Sequence, residues 1–410
     1  MTVTKSKSVG YKGFRDKIRE RVRGEWLYLV SLILYLSVAF FETAMFERPF
    51  LFKLIKYLPL VILPVKLLLF DDNTGALIFL KAAVVLSAVI TVSIVHTESS
   101  MLLMAALFLV SAGDVPFKSI LKVFIIVNLA GMAVTLLACG MGLIENLKYP
   151  ATMFGAGHIS YAFGFKYTTD AVAHLFFLIL AVYYLYRERL NHCVYLVLIL
   201  LQIPVYIFTT ARCGCICIIL LSIVYLIFLF RKKNGKGEGK LEKCLKKCLV
   251  YSMPFMSLLS FGLVLLYMRS PEIFLKADIL LSGRLKFAGA GLAKYGLSVF
   301  GRDIEFTGWG GAPRDAVGEN YDFIDNSYLF CGIKFGVIWL LILISSYVAA
   351  CKKYSSDIYF LVSVFFTALS SVFEHHLPDM GYAIFFLSVF ALNEKQGAKD
   401  AAVKKKGAGK

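Results

Sequence analysis

The sequence predicts an all-α, polytopic integral membrane protein of about twelve transmembrane helices with one large extracytoplasmic loop. Three observations carry this. Of 410 residues, 59% are hydrophobic, only 17% are charged, and the apolar residues collect in runs long enough to cross a bilayer. A soluble domain holds about 45–50% apolar and about 25% charged residues. The mean hydropathy of +0.73 points the same way. Spanning strands would alternate apolar and polar residues around a closed barrel. These runs do not alternate, so they read as helices.

In order, the spans start near Trp26, Phe50, Ala76, Met101, Ile120, Ala171, His192, Cys213, Cys248, Asn326, Asp357 and Leu377. The second is interrupted by Lys53, Lys56, Pro59, Pro64 and Lys66, and the fourth is short. A basic tail (1–25) precedes a single membrane domain (26–393), and a second basic tail (394–410) follows it. The first tail has no apolar core of the kind a cleavable signal peptide needs, so insertion is expected to depend on the first span. No internal repeat is visible, which weighs against the common transporter architectures.

The net charge is +17. In a soluble chain that would suggest nucleic acid. Here Lys and Arg lie in short segments between spans, with no basic domain outside them, so no nucleic-acid partner is expected. The N-terminal tail, YRERLNH (186–192), RKKNGKGEGKLEKCLKK (231–247), CKKYSS (351–356) and the C-terminal tail all fall on one side if the spans number about twelve. The positive-inside rule makes that side, and both termini, cytoplasmic. The opposite side receives 144–170, the TTAR turn at 209–212, the loop 269–325 and EHHLPDMG at 374–381. Long loops among short ones are usually functional. Within 269–325, LLSGRLKFAGAGLAKYG reads as an amphipathic helix and GRDIEFTGWGGAPRDAVGEN as Gly-rich turns.

Several groups are candidates for chemistry. Cys213, Cys215 and Cys217 do not share one helix face, and the other thiol pair, Cys244 and Cys248, belongs to the opposite side of the membrane. They read as small buried side chains rather than a zinc set. Adjacent histidines on a helix, as in EHH, point about 100° apart, so no metal is expected there. His158 on the outer side is either a near-neutral acid or base or a solvated loop residue. Arg212, at the outer end of a span, and Arg284, in the outer loop, are either snorkelling anchors or holders of an anion. A guanidinium near the bilayer is costly unless paired or wet, and its planar fork suits phosphate. Asp325, Asp303 and Glu305 are boundary carboxylates that could act as bases or be ordinary loop acids.

Four segments, taken in order, resemble the Wzy-type polymerases of the O-antigen polymerase and ligase superfamily. They are ISYAFGFKYTTDAVAHLFF (159–177), TTARCGCICIILL (209–221), LSGRLKFAGAGLAKYGLSVFG (281–301) and DNSYLFCGIKFGVIW (325–339). The resemblance covers roughly residues 155–340. It departs where Cys213 separates Arg212 from Gly214, and where Lys166, Tyr167, Thr168 and Thr169 stand for a His-Pro-Asn. The absence of histidine from 269–325 leans away from the ligases.

The resemblance implies a glycosyltransferase of the bacterial cytoplasmic membrane that polymerises lipid-linked repeat units for O-antigen, capsule or exopolysaccharide. It implies undecaprenyl-pyrophosphate-linked oligosaccharides as substrates, membrane lipid as surroundings, and a chain-length regulator and a flippase as further partners. No cofactor or metal is required, since the donor is already activated. Arg212 and Arg284 would hold pyrophosphate, with Lys166 and Arg302 in the second rank. The base would be Asp325, Glu374 or His158. A flippase for the same lipid and an O-antigen ligase are the rival readings. A generic solute transporter would carry more polar residues within its spans than Asn128 and Gln202.

Overall fold

The computed structural model describes residues 23–71, 75–96, 99–150, 159–233, 239–308 and 322–393. From the N-terminus the helices are α1 (Gly24–Phe41), α2 (Phe50–Tyr57), α3 (Pro59–Phe70), α4 (Ala76–Ile94), α5 (Ser99–Ser111) and α6 (Phe117–Gly140). An antiparallel hairpin of β1 (Lys148–Pro150) and β2 (Ile159–Tyr161) follows, with Tyr149 opposite Ser160. Then come α7 (Thr168–Tyr186), α8 (His192–Thr209), α9 (Arg212–Lys233), α10 (Lys240–Leu249), α11 (Ser252–Arg269), α12 (Pro271–Leu280) and α13 (Arg284–Tyr295). The chain closes with α14 (Ser327–Phe330), a π turn (Cys331–Phe335), α15 (Val337–Lys353), α16 (Ile358–Ser370) and a 3-10 segment (Ile384–Val389).

Seven of these helices, α1, α4, α6, α7, α8, α9 and α11, are long and apolar enough to cross a membrane, judged by length and composition. At about 1.5 Å per residue, 18–24 residues reach the thickness of the hydrocarbon layer. Their burial differs sharply. The apolar window of α7 is 67% buried, against 17% for α8. Thus α7 is the central post, packed on α6, α9 and α16, while α8 leans on α9 and turns most of its apolar surface outward.

Three elements differ from the sequence expectation, each for a local reason. The second span is two helices, α2 and α3, parted at Leu58, because Pro59 suits the first turn of a new helix. The ninth span begins at Ser252, not near Cys248, because 240–249 forms its own short basic helix. After α16, residues 371–383 form turns, and the chain returns as a 3-10 segment in place of an α-helix. Pro378 and Gly381 interrupt helix there. The ammonium of Lys353 takes the carbonyls of Ser388 (3.0 Å), Val389 (3.1 Å) and Ala391.

One buried polar network ties the first helices together. Lys66 is fully buried and bonds Asp71 (2.6 Å), Asp114 and the Ser111 carbonyl. Lys81 reaches the other oxygen of Asp71 at 3.1 Å. We expect Lys66→Met, which keeps volume but removes the charge, to cost about 3 kcal/mol. This is the lower end for breaking a buried pair, because Lys81 still serves Asp71 and Asp114 is 39% exposed. Thermal unfolding in detergent would read it, and an unchanged midpoint would contradict it. Of the two polar span residues flagged from sequence, Asn128 bonds across to His174 Nδ1 at 3.1 Å, whereas Gln202 bonds only its own helix at Leu198.

Candidate functional site

The turn between α8 and α9 sets Arg212. Thr210 takes a left-handed conformation (φ 56°), and its hydroxyl meets that of Ser160 on β2 at 2.8 Å. The turn is thereby pinned to the hairpin. Arg212 opens α9 and donates from Nη2 to Ser282 Oγ at 3.1 Å. Its Nε is buried and unbonded, and among the described residues no carboxylate lies within ion-pair distance of it. Two residues on, a Cβ at Gly214 would stand 2.7 Å from Val172 Cγ1. Close approach of α9 to α7 therefore requires glycine at 214, which gives the glycine displaced by Cys213 a packing role. Cys215 and Cys217 are buried as small apolar side chains.

The LSGR turn (281–284) sets Arg284. Ser282 (φ 60°) and Gly283 (φ 81°) are both left-handed, a pairing that glycine makes affordable in strain. Buried Asp278 accepts from the amides of Leu285 (2.9 Å) and Lys286 (3.1 Å) and so caps α13. Arg284 then donates to the carbonyls of Phe373 and Leu281 and, from Nη2, to Glu374 Oε1 at 3.1 Å. One turn therefore touches both arginines: Ser282 meets Arg212, and Arg284, two residues later, meets Glu374.

The DNSY stretch (325–328) positions the opposite wall. Ser327 donates its hydroxyl to the Glu374 carbonyl (2.5 Å) and its amide to the carbonyls of Ser371 and Glu374, and it accepts from the Leu377 amide. Asn326 donates to Ser260 Oγ (2.6 Å) and the Val372 carbonyl (2.9 Å), while its own oxygen caps α14. This clasp fixes the Glu374–His375–His376 turn. Asp325 Oδ1 lies 3.3 Å from His375 Nδ1.

Electrostatics follow from this packing. Burial raises the Glu374 pKa, Asp325 adds to the rise, and Arg284 opposes it. For His375, burial disfavours the imidazolium, but the nearby carboxylates of Asp325, Glu374 and Asp170 outweigh it, so its pKa is raised. For His376, burial and the neighbouring charge of His375 push the pKa well down. A narrow crevice, wide enough for little more than a water, lies beside Glu374 between α7, α9 and the end of α16. Val172, Phe176, Phe177 and Cys217 make it mainly apolar, with Thr169, Ser370 and Glu374 as its polar members.

The structure brings four of the sequence-derived candidates together: Arg212, Arg284, Glu374 and Asp325 all lie within electrostatic reach of Cys213. Lys166 is held by its backbone, its amide on the Thr43 carbonyl (2.9 Å) and its carbonyl on Tyr149 Oη (2.6 Å). Arg302 is exposed and bonds the Tyr295 carbonyl at 2.5 Å, apart from the paired arginines' contacts. His158 lies outside the described residues. Sequence reasoning missed Ser282, Ser327 and the pairing of His375 with Asp325. No local signal marks a contact between positions 325 and 375. It also treated EHH as helical, whereas 374–376 lie in a turn where the two imidazoles approach to 4.3 Å between centroids.

Fold and site together define a mostly helical protein with several membrane-length helices and a cluster of arginines and carboxylates at their loop ends. No family model, no curated protein and no solved structure matches the chain.

Proposed function

We propose that the protein is a Wzy-type polymerase of lipid-linked oligosaccharide repeat units, acting at the outer face of the bacterial cytoplasmic membrane. The chain crosses the bilayer about twelve times, with both termini in the cytoplasm. The lipid-pyrophosphate donor enters between helices and sets its pyrophosphate against Arg212 and Arg284. A hydroxyl of a second lipid-linked unit attacks the donor's anomeric carbon. The new glycosidic bond forms as the bond to pyrophosphate breaks, with the electron pair leaving on the pyrophosphate oxygen. The hydroxyl proton passes to Asp325.

The observation that carries this reading is Arg212. A half-buried guanidinium at the loop end of an apolar helix, with an unbonded Nε and no carboxylate partner among the described residues, has no protein counter-charge beside it. A phosphate oxygen supplies one, and the fork binds two such oxygens. In a strain lacking the native gene, Arg212→Ala and Arg284→Ala, each inserted at normal level, are expected to leave single repeat units on the cell surface and no ladder of longer chains. Unchanged ladders in both variants would remove the proposal. Loss of single units as well would indicate flipping instead of polymerisation.

A further inference from the structure

The turn that carries Glu374 also carries two imidazoles, and their donor atoms converge. One ligand atom from each of Glu374, His375 and His376 lies within 4.8 Å of the other two. Zinc holds imidazole nitrogen and carboxylate oxygen at about 2.0–2.1 Å, which places neighbouring donors roughly 3.3 Å apart in a tetrahedron. The observed spread is thus within about 1.5 Å of a ligand set before any ion draws it in.

His376 supplies the independent observation. It is 4% exposed, and its Nε2 is buried without a hydrogen-bond partner. Orphaned buried nitrogens need a physical reason, and an ion is one. The carboxylate oxygen Glu374 Oε2 is 3.9 Å away, too far for a hydrogen bond. The other oxygen of Glu374 is taken by Arg284, which leaves Oε2 as the single outward donor.

Two further features fit an ion. The ring of His376 is fixed by stacking on Tyr382, at 3.9 Å between centroids and 24° between planes. The Nδ1 of His375 has Asp325 Oδ1 at 3.3 Å, a carboxylate near the ring as metal-binding imidazoles often have. The charge balance also allows a cation despite Arg284. Asp325, Asp170 and Asp379 all lie within electrostatic reach of this turn, in addition to Glu374 itself.

We propose that Glu374, His375 and His376 form a site for one divalent transition-metal ion, zinc by the character of its ligands. Two imidazoles and a carboxylate are a zinc set that leaves a fourth position for water or a ligand oxygen. The site stands on its own geometry and does not depend on the polymerase reading.

The test uses the purified full chain in detergent, stripped with a chelator and titrated calorimetrically with Zn²⁺. One ion per chain is expected. His376→Gln and His375→Gln should each weaken binding by at least about 10-fold, while His192→Ala, on the other side of the molecule, should bind as the parent does. Cobalt loading should give the intense visible bands of a four-coordinate ion in the parent and not in His376→Gln. Each variant is read only on its monodisperse fraction, so that the two histidine variants check one another. Absence of saturable binding by the parent, or parental binding in both histidine variants, overturns the site. No glycan substrate enters the measurement, so its failure and that of the polymerase reading are separable.

Discussion

Arg212→Lys is expected to abolish long-chain polymer while leaving protein level, insertion and single-unit display unchanged. Lysine keeps the charge, so a site needing only a positive potential would survive. It loses the planar fork, and with it the simultaneous bonds to two phosphate oxygens. It also loses the Nη2 contact to Ser282 that aims the group. Removal of one preorganised contact to developing charge costs about 2.7–4 kcal/mol, or roughly 100- to 1,000-fold in rate. Arg284 cannot stand in for it, since its bonds to Phe373, Leu281 and Glu374 fix its guanidinium in its own place. The measurement is chain-length distribution on a gel, with an in vitro rate on purified lipid-linked units. A near-parental ladder in Arg212→Lys would reduce Arg212 to an interfacial anchor.

Gly336→Ala should have the largest effect on the fold. Gly336 has φ 93° and ψ 157°, a region that is essentially glycine's alone. A Cβ there would also stand 2.5 Å from both the Gly301 amide nitrogen and the Val299 carbonyl oxygen. Gly301 faces it with φ 97° and a would-be Cβ 2.5 Å from the Lys334 carbonyl oxygen. The two backbones are in contact, held by Val337 N to Ser298 O (2.8 Å) and Arg302 N to Lys334 O (2.9 Å). Backbone strain and steric overlap add, and the penalty should exceed about 4 kcal/mol. Folded, monodisperse protein in detergent is expected to fall to a small fraction of parent. A variant that stays monodisperse and melts within about 2 °C of parent would show that the joint can yield.

Much of the helical layout was legible because the membrane simplifies the physics. An unpaired backbone amide has no partner in hydrocarbon, so a long apolar run must be helical. The amphipathic segment read within 269–325 was also legible, and its helical part is α13. What escaped were the breaks. Lys66 looked like an interruption of a span but is buried within α3, because Asp71 and Asp114 arrive from beyond it. The two histidines of EHH were spaced by helix geometry, yet Ser327 and Asn326 hold that stretch as a turn.

For the site, the sequence alone picked out Arg212, Arg284, Asp325 and Glu374, with Lys166, Arg302 and His158, as charges at span ends or in the segments between spans, and the apolar runs around them as helices. Both follow from local cost, since burying a charge or an unpaired amide is expensive wherever it occurs. Only the tertiary structure decided which charges meet. Arg284 and Glu374 are ninety positions apart, and His375 finds Asp325 across fifty. Such pairings depend on how α7, α9, α13 and α16 pack, and packing is a property of the whole assembly of surfaces, which no single stretch such as TTARCGC encodes.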